Sequence, residues 1–264
     1  MKKHTEKNLT VSGHLKELRN RIITCIVCLV VFMLAGIYFA PQIVELLTDI
    51  GKSYGYTYVY LSPQELLLQY FAVALLMAVI LSLPVILYQI WAFVQPGLRS
   101  NENSLFLAAM FFGLACFAVG VLFAYKIMLP FMLHFLIDLS KDTDIHAAVS
   151  VQNYIGFLLT IFMIFGIVFE LPVVSVLLTK MGLLKASWMR KSRRVIIVVM
   201  FLVAAFITPP DIVSQIMVAI PMIGLFELSI LLCSAAERAK KKKEAMDEEE
   251  AFGSGSEDTD KTNP

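Results

Sequence analysis

Residues 105–125 read LFLAAMFFGLACFAVGVLFAY, without a charged side chain among them. At 1.5 Å of rise per residue, a helix over this run is about 30 Å long, the thickness of a bilayer's hydrocarbon core. In lipid only helices and closed barrels satisfy every backbone N–H and C=O, and the run is far longer than a barrel strand. Three more runs of the same kind surround it. Ile22–Phe39 carries no charge, Leu66–Ile90 is broken only by Gln69, Ser82, Pro84 and Gln89, and Tyr154–Thr179 contains one acid, Glu170. The expected fold class is an all-α polytopic membrane protein.

Composition agrees. The 264 residues are 58% hydrophobic and 16% charged, against about 45–50% and 25% in soluble domains, a shift too large for a water-soluble core. No strongly basic or acidic domain points to nucleic acid. Cys25 and Cys28 have C-x-x-C spacing, but no thioredoxin-like unit surrounds them, and with Cys116 and Cys233 they read as small apolar filler. The first run is longer than the apolar part of a secretory signal, so it is read as a retained span.

Two further spans are weaker. Val195–Ile207 offers 13 residues, about 20 Å of helix, before Thr208-Pro209-Pro210-Asp211. Ile212–Cys233 follows, interrupted by Gln215 and Glu227. The double proline forces a turn, so the pair reads as a short final hairpin that thins the membrane locally, with a re-entrant hairpin as the alternative. Either form leaves both flanks on one side. Lys and Arg gather before span one, between spans four and five (Lys180 to Arg194) and after span six (Arg238, Lys240 to Lys243). The positive-inside rule then puts both termini in the cytoplasm, with six transmembrane helices over residues 1–236. Residues 237–264, basic and then acidic, are expected to form a disordered tail.

The outer loops are modest. Tyr54, Tyr56, Tyr58 and Tyr60 alternate strictly, which suits a short extended segment, although aromatics favour the membrane interface in any case. Phe131–Ile137 suits a short amphipathic helix on the outer surface, with His134 as a surface residue. Four scattered histidines suggest no metal site.

No phosphate-binding loop, nucleophile elbow or H-E-x-x-H helix is present, so the chain is not expected to be an enzyme or to need a cofactor. The informative features are prolines and polar groups within the membrane. Pro84, Pro172 and Pro221 fall in spans two, four and six, and are expected to bend these even-numbered helices. Glu170 lies two residues before Pro172. An acid at membrane depth is a functional-site candidate, with a protonated carboxyl bonded to a neighbouring helix as the structural alternative. Glu17 and Glu102 stand in basic cytoplasmic segments, and each alone reads as a solvated charge. Glu17 and Arg21 form an i,i+4 pair that supports a helix.

Taken together, four segments resemble one family. His14-Leu15-Lys16-Glu17-Leu18-Arg19-Asn20-Arg21 is similar to the H-L-x-E-L-R-x-R signature of TatC, the core subunit of the twin-arginine protein translocase. Leu83–Leu98 resembles its second helix and first cytoplasmic loop, Gly166–Pro172 its fourth helix, and Thr208-Pro209-Pro210-Asp211 with Gln215 its last outer turn. One departure is Asn103 after Glu102, where the family often has arginine. The resemblance implies a receptor for signal peptides with paired arginines, working with single-span partner subunits of the TatA/TatB type. It implies export of folded cargo on the proton-motive force, from a bacterial cytoplasmic membrane and within a homo-oligomeric complex. Glu17, Glu102, Arg19 and Leu98 would then bind the signal peptide. Glu170, Gln215, Thr208 and Asp211 would form an intramembrane polar site. A secondary transporter of a small solute is the rival reading, but it would be expected to show internal repeats and further polar sites.

Overall fold

A computed structural model describes residues 11–94, 103–138, 148–208 and 211–257. They form nine α-helices and two three-residue strands: α1 (Val11–Ser53), β1 (Thr57–Val59), α2 (Glu65–Val94), α3 (Asn103–Phe123), α4 (Leu129–Asp138), β2 (Ala148–Ser150), α5 (Val151–Phe169), α6 (Leu171–Lys180), α7 (Ala186–Lys191), α8 (Arg193–Ile207) and α9 (Ile212–Glu257). Among the described residues five helical stretches are long and apolar enough to cross a membrane: Leu15–Ser53, Glu65–Phe93, Leu107–Asp138, Val151–Lys180 and Ile212–Lys242. The remaining apolar helix, α8, is the short one anticipated. At about 1.5 Å per residue its 15 residues span about 22 Å, less than a hydrocarbon core. The chain divides into two compact units, Met1–Ile167 and Val168–Pro264.

In the first unit α1 packs along α2. Their closest approach is made by small residues. A Cβ on Gly36 would lie 3.0 Å from the Ala74 carbonyl oxygen, and Ala40, Ala74 and Ala78 are fully buried. In lipid, where apolar surface alone gives no reason for two helices to associate, such close backbone packing supplies the attraction. Phe117 of α3 meets Gly166 of α5, where a Cβ would come within 2.6 Å of its ring.

Two helices run on past the ends expected of them. α1 continues from Phe39 through Pro41 to Ser53. After Phe123 the chain does not leave the helix either, because a π-helical turn, Ala124–Met128, joins α3 directly to α4. Pro130 follows that turn. A proline cannot donate to the carbonyl four residues back and crowds it, and a widened turn moves the carbonyl ladder aside. The Leu129 N–H accordingly bonds Ala124. The expected short helix at Phe131–Ile137 is present as α4, continuous with α3 through the π turn, with His134 exposed and 3.5 Å from Asp138.

At the α1–α2 connection the tyrosine alternation does produce a strand. Thr57, Tyr58 and Val59 pair in parallel with Ala148, Val149 and Ser150. Side chains tie this ribbon to four helices. Tyr56 donates to the Leu133 carbonyl (3.3 Å), Tyr154 to the Leu47 carbonyl (3.0 Å), and Ser150 to the buried Glu65 (3.2 Å). The rings of Tyr58 and Tyr154 lie 4.9 Å apart over Gly51, which has no room for a Cβ beside either hydroxyl.

In the second unit α6, α7 and α8 all pack on α9. Glu227, which interrupts the last apolar run, is paired with Arg193 at the start of α8 (2.5 Å). Glu237 accepts from the Ala186 N–H (2.7 Å) and Ser234 from Arg190 (2.7 Å), so the basic connection is fastened to α9. α9 extends to Glu257, through the segment where disorder is expected from residue 237. The reason is composition: residues 235–251 are almost all Ala, Lys, Glu, Arg and Met, strong helix formers whose charges alone read as a solvated tail.

The tyrosine cluster yields two tests. Gly51→Ala should lower stability by about 1–3 kcal/mol, as overpacking does, read as an earlier thermal transition in detergent. Burial, with Tyr154 adding to it, pushes the Tyr56 phenol up to about 12. With the folded value above the unfolded one near 10, its contribution is intact below pH 10 and is lost as pH rises toward 12. Melting temperature should therefore fall over that window, and less steeply in Tyr56→Phe.

Candidate functional site

The first cluster lies at the N-terminal end of α1. Residues four apart on a helix share a face, so Glu17 and Arg21 meet. Arg21 donates through Nε to Glu17 Oε1 at 3.1 Å and through Nη2 to the same oxygen at 2.5 Å. It also reaches α2, donating through Nη1 to Gln89 Oε1 (3.1 Å) and through Nη2 to the Ala92 carbonyl (2.9 Å). Ala92 lies in the last described turn of α2, and four residues on stands Pro96, which has no N–H to give, so the Ala92 carbonyl lacks the usual intrahelical donor. A cation at that end is also favoured by the helix dipole. The Arg21 and Glu17 side chains are 22% and 25% exposed, shielded enough for the pair to hold and open enough to be reached.

Arg19 is placed differently. Two residues from Glu17, it points about 200° around the helix and is exposed, so the structure does not bring these two proposed site residues together. Glu102 and Leu98 lie outside the described residues. Glu102 immediately precedes Asn103, where α3 begins. The sequence places Arg21 in the His14–Arg21 signature and as the i,i+4 partner of Glu17, and Gln89 within Leu83–Leu98, but it does not bring Arg21 and Gln89 together. A glutamine in the last turns of a membrane helix, opposite an arginine, was the available signal.

The second group is in the α6–α9 unit. Thr208 donates to the Ala204 carbonyl (3.0 Å), and the Gln215 amide donates to the Phe201 carbonyl (3.0 Å), linking α9 to α8. Asp211 Oδ1 accepts from the Ser214 N–H at 2.7 Å, as a helix N-cap does. These three polar residues therefore serve the backbone of the short hairpin. Glu170 stands apart from them. It occupies the break between α5 and α6, with Pro172 at the first turn of α6, and both carboxyl oxygens are buried with no hydrogen-bond partner. Pro84 and Pro221 lie inside α2 and α9. Among the described residues, no three His, Cys, Asp or Glu side chains gather as for a metal ion, and the four cysteines are free.

The family described as Sec-independent protein translocase protein (TatC) matches residues 13–221. The chain belongs to the TatC family. It is 36% identical over 238 residues to the TatC protein of Helicobacter pylori, covering 90% of this chain and 94% of that one. Identity with the TatC protein of Aquifex aeolicus is 38% over 237 residues (88% and 98%), and with the TatCy protein of Bacillus subtilis 32% over 245 (93% and 96%). A crystal structure of a twin-arginine translocase receptor, TatC, superposes with a TM-score of 0.79 at 37% identity, covering 84% of this chain and 99% of that one. The chain is thus a multi-pass membrane component of the twin-arginine translocase, and the rival solute-transporter reading finds no support.

The capping role of Asp211 separates from any role of its charge. Asp211→Ala should cost about 0.5–2 kcal/mol, the scale for losing an N-cap, whereas Asp211→Asn, an equally good cap, should melt like the unaltered TatC chain. Thermal unfolding of the two variants in one detergent makes the comparison.

Proposed function

We propose that this chain is the receptor subunit of its translocase, recognising the paired arginines of a signal peptide through Glu17 and Glu102. The supporting observation is the Glu17 carboxylate anchored at the end of α2, from which the segment carrying Glu102 departs. A guanidinium presents a rigid planar fork that a carboxylate matches bidentately, and two acids on neighbouring connections suit two consecutive arginines. Arg19 and Leu98 flank these acids in sequence and are proposed to contribute to the same recognition.

Both termini and the residue 180–194 connection face the cytoplasm of a bacterium in this reading, on the distribution of Lys and Arg. In the same reading the short α8–α9 hairpin, including Thr208 and Gln215, serves contact with single-span partner subunits, and Glu170 belongs to the concave side of the bent helices. The proton-motive force drives export, and several copies of the chain assemble in one complex. Tags at the N-terminus, near 188 and at 245 should be cytoplasmic, and tags near 55, 142 and 210 external. An external tag at 188 would overturn this topology.

Recognition is tested by neutralising one acid. Glu102→Gln keeps size and removes charge, and binding of a twin-arginine peptide should weaken by about 1–3 kcal/mol, the scale of hydrogen bonds to charged groups. A twin-lysine peptide should bind the unaltered chain less well and lose less on the substitution, since lysine cannot make the fork. Equal losses would reduce Glu102 to a source of general negative potential, and no loss would remove it from the site.

A further inference from the structure

Arg21 makes more bonds than a helix-stabilising pair requires. Its Nε, Nη1 and Nη2 atoms all donate, to three different residues on two helices. Two of the bonds fall on one oxygen of Glu17, and the other two go to Gln89 and to the terminal carbonyl of Ala92 in the last turns of α2. The effect on Glu17 is twofold. Its carboxylate is held in one orientation, with Oε1 turned toward Arg21. Its charge is also balanced at a distance where a partly shielded pair interacts strongly.

We propose that Arg21 is a positioning and specificity-determining residue of the signal-peptide site: by neutralising Glu17 and pinning it to the end of α2, it makes the site favour a guanidinium over an ammonium. The inference rests on the reading that Glu17 takes part in peptide recognition. Its physical basis is the difference between the two cations. Lysine is a compact, strongly hydrated point charge, and its gain at a carboxylate comes mainly from net Coulomb attraction. Beside an acid already paired with Arg21 that attraction is small, while the ammonium must still shed its water. Arginine is more weakly hydrated and binds through directed N–H bonds in a plane. Those bonds depend on the orientation of the acceptor, which Arg21 supplies. A bare Glu17, free to rotate and carrying a full negative charge, would attract both cations and distinguish them poorly.

Gln89 and the Ala92 carbonyl have a defined part in this. They fix the guanidinium plane of Arg21, and so the direction in which it turns the carboxylate. Arg21→Lys keeps the charge but cannot span Glu17, Gln89 and the Ala92 carbonyl together. It separates neutralisation from orientation.

The test measures binding of a twin-arginine and a twin-lysine signal peptide to the full chain in lipid nanodiscs, for the unaltered protein, Arg21→Gln, Arg21→Lys, Glu17→Gln and the Arg21→Gln, Glu17→Gln pair. In Arg21→Gln the arginine peptide should weaken about tenfold, the loss of an oriented charge-assisted bond, while the lysine peptide holds or tightens, so the preference collapses. Arg21→Lys should weaken the arginine peptide similarly without tightening the lysine peptide. In the Glu17→Gln background, Arg21→Gln should leave the preference where it was. Gln89→Leu, which loosens Arg21 without touching Glu17, should move the preference the same way by a smaller factor. It carries the test if Arg21→Gln does not fold. Equal weakening of both peptides by Arg21→Gln, or an unchanged preference in Gln89→Leu where that variant stands in for it, would make Arg21 a helix tie and nothing more. If Glu17→Gln alone changes neither affinity, Glu17 lies outside the site, and the recognition reading fails together with this one.

Discussion

Every backbone donor and acceptor that enters hydrocarbon needs a partner within the protein, and every buried side-chain hydroxyl beside a helix-breaking proline competes for the same carbonyls. Pro84 removes the donor that would serve the Ile80 carbonyl, and beside it the fully buried Ser82 places its own hydroxyl on the Val79 carbonyl. Near the Pro172 break Ser175 donates to the Pro172 carbonyl and Thr179 to Ser175. Before Pro130 the chain widens into a π turn. Small hydroxyls at these positions are therefore part of the helices' own hydrogen bonding, which explains why so many polar residues in the spans have no further task.

That accounting changes the meaning of polarity at membrane depth. Thr208, Gln215 and Asp211 look from the sequence like a cluster with Glu170, but each bonds a backbone group of the α8–α9 hairpin, with Asp211 Oδ2 left buried and without a hydrogen bond. Glu227, which looks equally out of place, is neutralised by Arg193. Glu170 has both oxygens buried without a hydrogen bond, at a break where α5 gives way to α6. A buried carboxyl left in this condition is costly, and in a translocase it is a more informative acid than the ones that merely cap helices.

The spans were legible because length and apolarity act over about 20 residues, and no tertiary contact can override the cost of charge in lipid. The four long runs and the short α8 could be read directly, while Pro209 and Pro210 lie outside the described residues. The helix ends could not. α1 passes Pro41 and span three passes Pro130, because in a membrane protein proline removes one bond without forcing an exit, while hydropathy marks where lipid ends and not where the helix does. The tyrosine alternation hinted at β1, but its partner, β2, is three residues long and about ninety residues away, and pairing of that kind leaves no local trace. Motif reading found Glu17. It did not show that Arg21 holds it, since the second half of that interaction, Gln89 and the Ala92 carbonyl, comes from another helix.

The two ends of the α1–α2 pair are secured by different chemistry. At the Ser53 end the ties are multiple, and the phenol-to-carbonyl bonds from Tyr56 and Tyr154 and the two-stranded ribbon are neutral, with a serine hydroxyl on Glu65 beside them. Neutral bonds shielded by aromatic rings are insensitive to a passing charge. At the Glu17 end the described tie is one guanidinium, partly exposed and shared between a carboxylate and a helix terminus. On the proposed recognition, an arriving arginine would compete there for the same carboxylate, so that recognition and the α1–α2 junction would draw on one set of hydrogen bonds. A guanidinium that shifts Glu17 must also act on Arg21, and through it on the end of α2 and the segment that leads to Glu102. The arrangement proposed to select the cargo's charge would thus couple its arrival to the backbone, at the end of the helix pair opposite the tyrosine cluster.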